Sequence, residues 1–214
     1  MQLRDIKKAL KNGEIKKVAE LTKTAIDAKM PVGGILDTLI AGMDEIGKRF
    51  KNNEIFIPEV LISAKAMHAG LDILEPLLSK SGIKPVGKIG IGTVKGDLHD
   101  IGKNLVAMMF RGAGFEVLDL GTDVPAEKFI DTAKTKDVNI IAMSSLLTTS
   151  MGSMKTVINE LKKEGLIGKV KTMVGGAPIT EEFAGNIGAD GYARDASSAV
   201  DKARELVGLR KHSV

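Results

Sequence analysis

The sequence predicts an α/β protein, in which a bundle of four helices precedes a five-stranded parallel sheet that carries helices on both faces. Two observations support this prediction. The first ~84 residues show apolar side chains at helical spacing and no run that reads as a strand. After them, short apolar runs alternate with amphipathic stretches, which is typical of a parallel sheet covered by helices. A chain of 214 residues can hold two such modules, which we place at residues 1–84 and 85–214.

The helical module is predicted from four apolar stripes with short connections between them. Two stripes precede Pro31, which marks a break, and a third spans residues 35–50. Pro58 fits the first turn of the fourth helix, because proline lacks only an N–H that this turn does not use. Pro76 should kink or end the same helix, because its ring clashes with the preceding turn.

The second module consists of five strand–helix units. The predicted strands are residues 88–94, 115–121, 138–145, 169–176 and 189–194. The predicted helices are residues 102–114, 125–136, 151–164, 180–188 and 197–207. Five such units in ~125 residues match a flavodoxin-like, doubly wound fold. The segment Lys84–Gly87 joins the two modules and is the candidate hinge.

Composition excludes several classes of function. The chain has no cysteine, so disulfides, thiolate metal sites and iron–sulfur clusters are ruled out. Basic and acidic residues are interleaved, the net charge is +4, and there is one Tyr and no Trp, so a nucleic-acid partner is not expected. No apolar signal region or membrane-spanning run is visible. We expect a protein of the reducing cytoplasm with no membrane partner.

Polar and small residues collect where three predicted strands end. Asp97 and His99 follow the first strand, a run of serine and threonine from Ser144 to Ser150 ends or follows the third, and Gly175–Gly176 end the fourth. Ligands of doubly wound folds bind beyond the carboxyl ends of the strands, at the point where the strand order reverses. The sequence therefore predicts one binding site at this edge.

His99 is the candidate metal ligand of that site. A neutral imidazole ligates through one nitrogen and usually donates its other N–H to a carboxylate, which Asp97 or Asp100 could supply. The two other histidines, His68 and His212, are distant in the chain. If His99 binds a metal, a cofactor should therefore provide the remaining ligands. Glycines nearby would allow a large ligand to approach the backbone.

Plainer explanations exist for each feature alone. A single histidine in a loop is commonly a capping or solvated residue, glycine after a strand often serves a turn, and serine before a helix often caps it. The convergence of all three at one sheet edge favours a site.

Three motifs at fixed spacing resemble a known signature. Asp97-x-His99-x-x-Gly102, Ser144-x-Leu146 and Gly175-Gly176 resemble the DxHxxG…SxL…GG pattern of cobalamin-binding domains, with gaps of 41 and 28 residues between them. The helical half is similar to the cap module beside this domain in methionine synthase. Over essentially the whole chain, the arrangement resembles the stand-alone corrinoid proteins of methanogen and acetogen methyltransferase systems.

The resemblance implies a role for each matched residue. His99 would replace the cofactor's own dimethylbenzimidazole as the lower axial ligand of cobalt, Asp97 would hydrogen-bond to it, and Ser150 would extend that relay. Met67 and Leu71 of the fourth helix would be candidates for covering the upper face of the cofactor. The remaining expected cofactor contacts are Asp100, Gly102, Ser144, Leu146, Thr148, Gly175 and Gly176.

The resemblance also implies a function. The cofactor would be cobalamin or a related corrinoid, and the protein would carry a methyl group on cobalt rather than activate a donor itself. Its partners would be a substrate-specific methyltransferase, an acceptor methyltransferase that serves tetrahydrofolate or coenzyme M, and a reductive activator. The alternatives are the small subunit of an adenosylcobalamin-dependent mutase, a cobalamin sensor, and a flavodoxin-like response or storage protein. The methyl donor is open among methylamines, methanol, betaines and aryl methyl ethers.

Overall fold

The computed structural model describes residues 3–209, which form two compact units. The first unit runs to Val86 and includes Arg111–Gly114, and the second comprises Gly87–Phe110 and the residues from Phe115 on. His212 lies outside the described residues. No helix among residues 3–209 combines the length and hydropathy needed to cross a membrane.

The first unit consists mainly of four helices. These are α1 (Leu3–Lys11), α2 (Ile15–Asp27), α3 (Val32–Lys51) and α4 (Ile57–Ser81). Pro58 lies in the first turn of α4, as predicted, and the backbone N–H of Phe56 donates to Glu59 at that end. Pro76 does not end α4, which continues to Ser81 and stops before Gly82 at φ +70°. Met67 is 1% exposed and belongs to the apolar core.

The second unit contains a five-stranded, entirely parallel sheet in the order β2-β1-β3-β4-β5, which confirms the flavodoxin-like prediction. Its strands are β1 (Lys88–Val94), β2 (Glu116–Val124), β3 (Ile140–Ser144), β4 (Lys171–Gly175) and β5 (Gly191–Ala193). Its helices are α5 (Ile101–Gly112), α6 (Ala126–Thr135), α7 (Met151–Lys163), α8 (Glu181–Ile187) and α9 (Ala196–Leu206).

A continuous apolar core lies between the sheet and two of its helices. Phe129 of α6 and Leu161 of α7 pack with Ile141 of β3 and Val174 of β4, and all four are at most 1% exposed. The apolar strands are therefore covered, as a parallel sheet requires. Polar chemistry is left to the strand ends and the loops that follow them.

The end of β2 differs from the prediction. The strand was expected to end at residue 121, yet it continues to Val124 because two register shifts against β1 accommodate extra residues. Gly121 at φ +93° and Asp123 at φ +51° take up the left-handed conformations in this irregular segment. Bulges of this kind redirect a strand end, and this one directs Asp123 toward the loop after β1.

Candidate functional site

The loop between β1 and α5 is held in a compact turn at the carboxyl end of the sheet. The hydroxyl of Thr93 donates to the carbonyl of His99 at 2.9 Å, and the N–H of Asp97 donates to the carbonyl of Val94 at 3.2 Å. Thr93 is fully buried, so this anchoring bond is shielded from water. The turn places a buried aspartate and an exposed histidine next to each other.

Asp97 and His99 form the central pair of the site. One carboxylate oxygen of Asp97 lies 2.7 Å from Nδ1 of His99 and also accepts the backbone N–H of His99 at 2.9 Å. Since an ionised carboxylate can only accept, the proton of the neutral imidazole lies on Nδ1, and this tautomer leaves the lone pair on Nε2. The Asp97 side chain is fully buried, whereas that of His99 is 52% exposed. No hydrogen bond within residues 3–209 occupies Nε2, which is therefore available to a ligand.

The second oxygen of Asp97 is held by the loop after β3. It accepts the backbone N–H of Leu146 at 2.6 Å, that of Leu147 at 3.2 Å, and the hydroxyl of Ser150 at 3.2 Å. Burial raises the pKa of this carboxyl, but the hydrogen bonds from His99, Leu146 and Leu147 outweigh it and hold the pKa well below its usual range. Asp97 is thus an anion throughout the neutral range and a permanent acceptor for His99.

Ser145 belongs to this network, although the sequence did not single it out. Its hydroxyl is fully buried, 2.8 Å from that of Ser150 and 3.4 Å from the Asp97 carboxylate. Each hydroxyl has one proton, so Ser145 can donate to Ser150 while Ser150 donates to Asp97. The only available signal was its position in the serine run, which does not reveal which side chains point inward.

Other predicted site residues lie around this network with different partners. Ser144 ends β3 and is half-buried, while Thr148 is exposed in the turn that follows. Of the two aspartates beside His99, only Asp97 bonds to the imidazole, because Asp100 instead accepts the side-chain amide of Asn104 at 3.0 Å. These residues line the edge of the site, and none of the three hydrogen-bonds to the His99 imidazole.

The glycine pair after β4 makes room for a close backbone approach. A Cβ atom on Gly176, at φ +131°, would lie 1.8 Å from the carbonyl oxygen of Ser145. A Cβ on Gly175 would lie 2.9 Å from that of Ala193. Both positions therefore exclude a side chain. At Gly102 a Cβ would meet nothing within 4 Å, so packing of the chain itself does not require glycine there.

Exposed apolar side chains lie in or next to the two loops that form the site. Leu98 and Ile101, on either side of His99 in the sequence, are 74% and 77% exposed, and Leu146 and Leu147 of the β3–α7 loop are also exposed. Apolar side chains gathered beside a binding edge mark a surface that a ligand covers. Leu98, Ile101 and Leu147 were not predicted as site residues, because an apolar residue in a loop or a first helical turn carries no sequence signal of its exposure.

The arrangement suits a large, flat ligand that brings a metal with it. Within residues 3–209, no group of three His, Asp or Glu side chains could hold a metal ion. A metal bound by Nε2 of His99 would therefore take its other ligands from the ligand itself. The apolar side chains beside His99 fit a broad apolar face, and the edge at Ser144 and Thr148 offers hydroxyls for a polar extension.

Comparisons with known proteins agree with this geometry. Two family models, both described as B12 binding domain, match residues 87–201 and residues 2–75. A corrinoid protein of Desulfitobacterium hafniense (strain Y51) is 42% identical over 210 residues, covering 96% of this chain and 97% of that protein. Dimethylamine corrinoid protein 3 of Methanosarcina acetivorans is 44% identical over 206 residues, covering 96% of both chains.

Two solved structures extend the similarity to the whole chain. A cobalamin-binding protein from Desulfitobacterium hafniense has a TM-score of 0.80 at 32% identity, covering 97% of this chain and 100% of its own. The methanol:cobalamin methyltransferase complex from Methanosarcina barkeri contains a chain with a TM-score of 0.83 at 31% identity, with 94% and 78% covered. Both modules of the sequence therefore have counterparts in these proteins.

Proposed function

Because the chain belongs to the B12 binding domain family, we propose that it carries a methyl group on the cobalt of a corrinoid between methyltransferases. The observation that carries the proposal is the Asp97–His99 pair, which leaves Nε2 of a half-exposed imidazole free and correctly protonated for a metal. Corrinoid proteins of methylamine systems match nearly the full length of the chain. The similarity therefore covers the carrier as a unit.

The residues present fit a corrinoid. When bound, this cofactor supplies a cobalt ion that takes up and gives up a methyl group. His99 would hold the cobalt from below through Nε2, and Asp97 would keep the ring oriented through its bond to Nδ1. Leu98 and Ile101 would cover apolar parts of the lower face. The protein would thus contribute a nitrogen ligand, its orientation and an apolar cover that excludes water.

The edge beyond β3 and β4 would receive the nucleotide tail. Ser144 and Thr148 present hydroxyls there, and Gly175 and Gly176 let the loop after β3 and the end of β5 pack closely beside them. Ser150 and Ser145 act through Asp97 rather than by touching the cofactor, because both are buried behind its carboxylate. We assign them as positioning residues for His99.

One partner is a methyltransferase, as in the Methanosarcina barkeri complex. We further propose that this first partner is a methylamine methyltransferase, because several relatives of the chain are dimethylamine or trimethylamine corrinoid proteins. A second methyltransferase, acting on tetrahydrofolate or coenzyme M, would remove the methyl group, and a reductive activator would restore the cofactor after oxidation.

Three further features stay predictions: the division into modules at residues 1–84 and 85–214, the hinge at Lys84–Gly87, and the cytoplasmic location. The match to residues 2–75 favours a carrier over a mutase subunit, which usually lacks a helical module.

The test is a comparison of corrinoid-loaded wild type with His99→Ala. Each protein is mixed with methylcobalamin, freed of excess cofactor and measured by visible absorption. We expect the wild type to retain a red, ligated cofactor and the variant to hold a yellow one or none. His68→Ala is the matched control, because His68 lies in α4 and should keep the red spectrum. A wild type that retains no corrinoid, or a His99→Ala variant that stays red, would contradict the proposal.

A further inference from the structure

The irregular end of β2 contacts the loop that carries the site. Between the pairs Gly92–Gly121 and Val94–Val124, two residues of β2 stand opposite one residue of β1. The second of them, Asp123, adopts φ +51°, a conformation that is costly for any residue with a side chain and least so for Asp and Asn. Strained residues of this kind persist where the surrounding structure holds them.

Asp123 makes two hydrogen bonds to the β1–α5 loop. Its carboxylate accepts the backbone N–H of Gly96 at 2.7 Å, and its own N–H donates to the carbonyl of Asp97 at 2.9 Å. Gly96 is itself in the left-handed region at φ +85°. Asp123 thus bonds to the peptide unit that precedes Gly96 and to the one that follows the Asp97 Cα atom, so its two bonds bracket the segment Gly96–Asp97.

The consequence concerns the Asp97 side chain. Its carboxylate must meet Nδ1 of His99 and the amides of Leu146 and Leu147 together, and a turn of the peptide units beside its Cα would move it away from both sets. The bond from the Asp97 N–H to the Val94 carbonyl holds the peptide unit before the Cα atom. The bond from the Asp123 N–H to the Asp97 carbonyl holds the unit after it, and the Asp123 carboxylate holds the preceding residue through the N–H of Gly96.

We propose that Asp123 is a positioning residue for the Asp97–His99 pair, and through it for axial ligation of the cobalt, which rests on the function proposed above. The carboxylate is the necessary part, since glycine would relieve the strain at φ +51° but could not accept from Gly96. Asparagine would keep both an acceptor oxygen and tolerance of this conformation.

The first arm of the test uses cofactor-free protein and three variants, Asp123→Ala, Asp123→Asn and Asp137→Ala. Asp137 is the matched control, because it is also an aspartate at φ +51°. It precedes β3 and so lies at the amino ends of the strands, away from the site at their carboxyl ends. Hydrogen exchange is followed at the amides of His99 and Leu146, which bond to Asp97, and at those of β4. We expect Asp123→Ala to lower the protection of the His99 and Leu146 amides about tenfold, which corresponds to the loss of one hydrogen bond to a charged acceptor. Asp123→Asn should restore most of it, and Asp137→Ala should leave it unchanged relative to β4.

The second arm loads the same variants with hydroxocobalamin and reads axial nitrogen ligation from the absorption spectrum and from electron paramagnetic resonance after reduction to cobalt(II). Asp123→Ala should bind the cofactor about tenfold more weakly and hold a larger unligated fraction, with Asp123→Asn close to wild type. Equal losses at the site and at β4, or equal effects of Asp123→Ala and Asp137→Ala, would reduce Asp123 to a structural role and overturn the proposal. If the wild type bound no corrinoid, the proposed function would fail, and the exchange arm would still decide whether Asp123 holds the pair.

Discussion

The carboxylate of Asp97 lies 2.7 Å from Nδ1 of His99, and the same carboxylate is bound on its other side by the loop that follows β3. A buried anion thus joins the loop after the first strand to the loop after the third. It orients the imidazole that we propose as the cobalt ligand, so the stability of the fold and the geometry of the site depend on one side chain.

Replacing Asp97 by Asn should destabilise the cofactor-free protein by about 2 kcal/mol at pH 7, because an amide nitrogen would face N–H and hydroxyl donors in a buried place. The folded pKa of Asp97 is depressed, so its contribution is present above the unfolded value of 3.8 and is lost as pH falls through the folded value. The difference between wild type and variant should therefore narrow by about 1 kcal/mol at pH 3. Urea unfolding at both pH values measures it.

Asp100→Asn is the matched control for that experiment. Asp100 is exposed, and within residues 3–209 it hydrogen-bonds only to Asn104, so its change should stay within about 0.5 kcal/mol. A difference between Asp97→Asn and wild type that stayed constant from pH 7 to pH 3 would show that the carboxylate is not the stabilising anion described above.

Ser145 and Ser150 should behave as one unit. Their hydroxyls lie 2.8 Å apart and both reach the Asp97 carboxylate, so removing either disrupts the other. In a double-mutant cycle on the cofactor-free protein, Ser145→Ala and Ser150→Ala should show a coupling energy of at least about 0.5 kcal/mol. Ser145→Ala paired with Thr149→Ala, an exposed neighbour, should be additive. Additivity in the serine pair would rule out a shared network.

Gly176→Ala should destabilise the protein far more than Gly121→Ala. Both glycines have positive φ, but a Cβ at Gly176 would lie 1.8 Å from the Ser145 carbonyl, whereas one at Gly121 would meet nothing within 4 Å. We expect about 1 kcal/mol from backbone strain at Gly121 and more than about 3 kcal/mol at Gly176, where the clash adds to it. Chemical denaturation of the two variants gives the comparison. Similar losses would mean that the loop after β3 can move aside.

Leu98→Ser and Ile101→Ser should weaken corrinoid binding while leaving the stability of the cofactor-free protein within about 0.5 kcal/mol, because these side chains are largely exposed before the cofactor covers them. Each buried apolar side chain contributes about 1.5 kcal/mol, so the dissociation constant should rise about tenfold per variant. Equilibrium dialysis with hydroxocobalamin measures it. Ile167→Ser, an exposed isoleucine between α7 and β4, is the control and should bind like wild type.

Much of the architecture follows from local patterns. The alternation of apolar runs with amphipathic stretches predicted five strands and the helices between them, and the positions of Asp97, Ser144 and Gly175 placed a site at the strand ends. Such patterns are readable because helix and strand periodicity depend on neighbouring residues. The predicted ends of helices and strands were less accurate where the chain departs from these periodic patterns, as at Pro76 inside α4 and at the end of β2.

By itself, the sequence determined the order of the elements, the family signature and the histidine at its centre. The residues around His99 left Asp97 and Asp100 open as its partner, and only the family signature favoured Asp97, which the structure places on Nδ1. Only the tertiary structure decided that Ser145 shares the network and that Asp123 bonds to the loop. The donors that meet the second carboxylate oxygen of Asp97 come from residues 48 to 53 positions away. Which donors reach the carboxylate depends on the register between β1 and β3 and on the bulge at the end of β2. Both are properties of long-range packing, which no local pattern encodes.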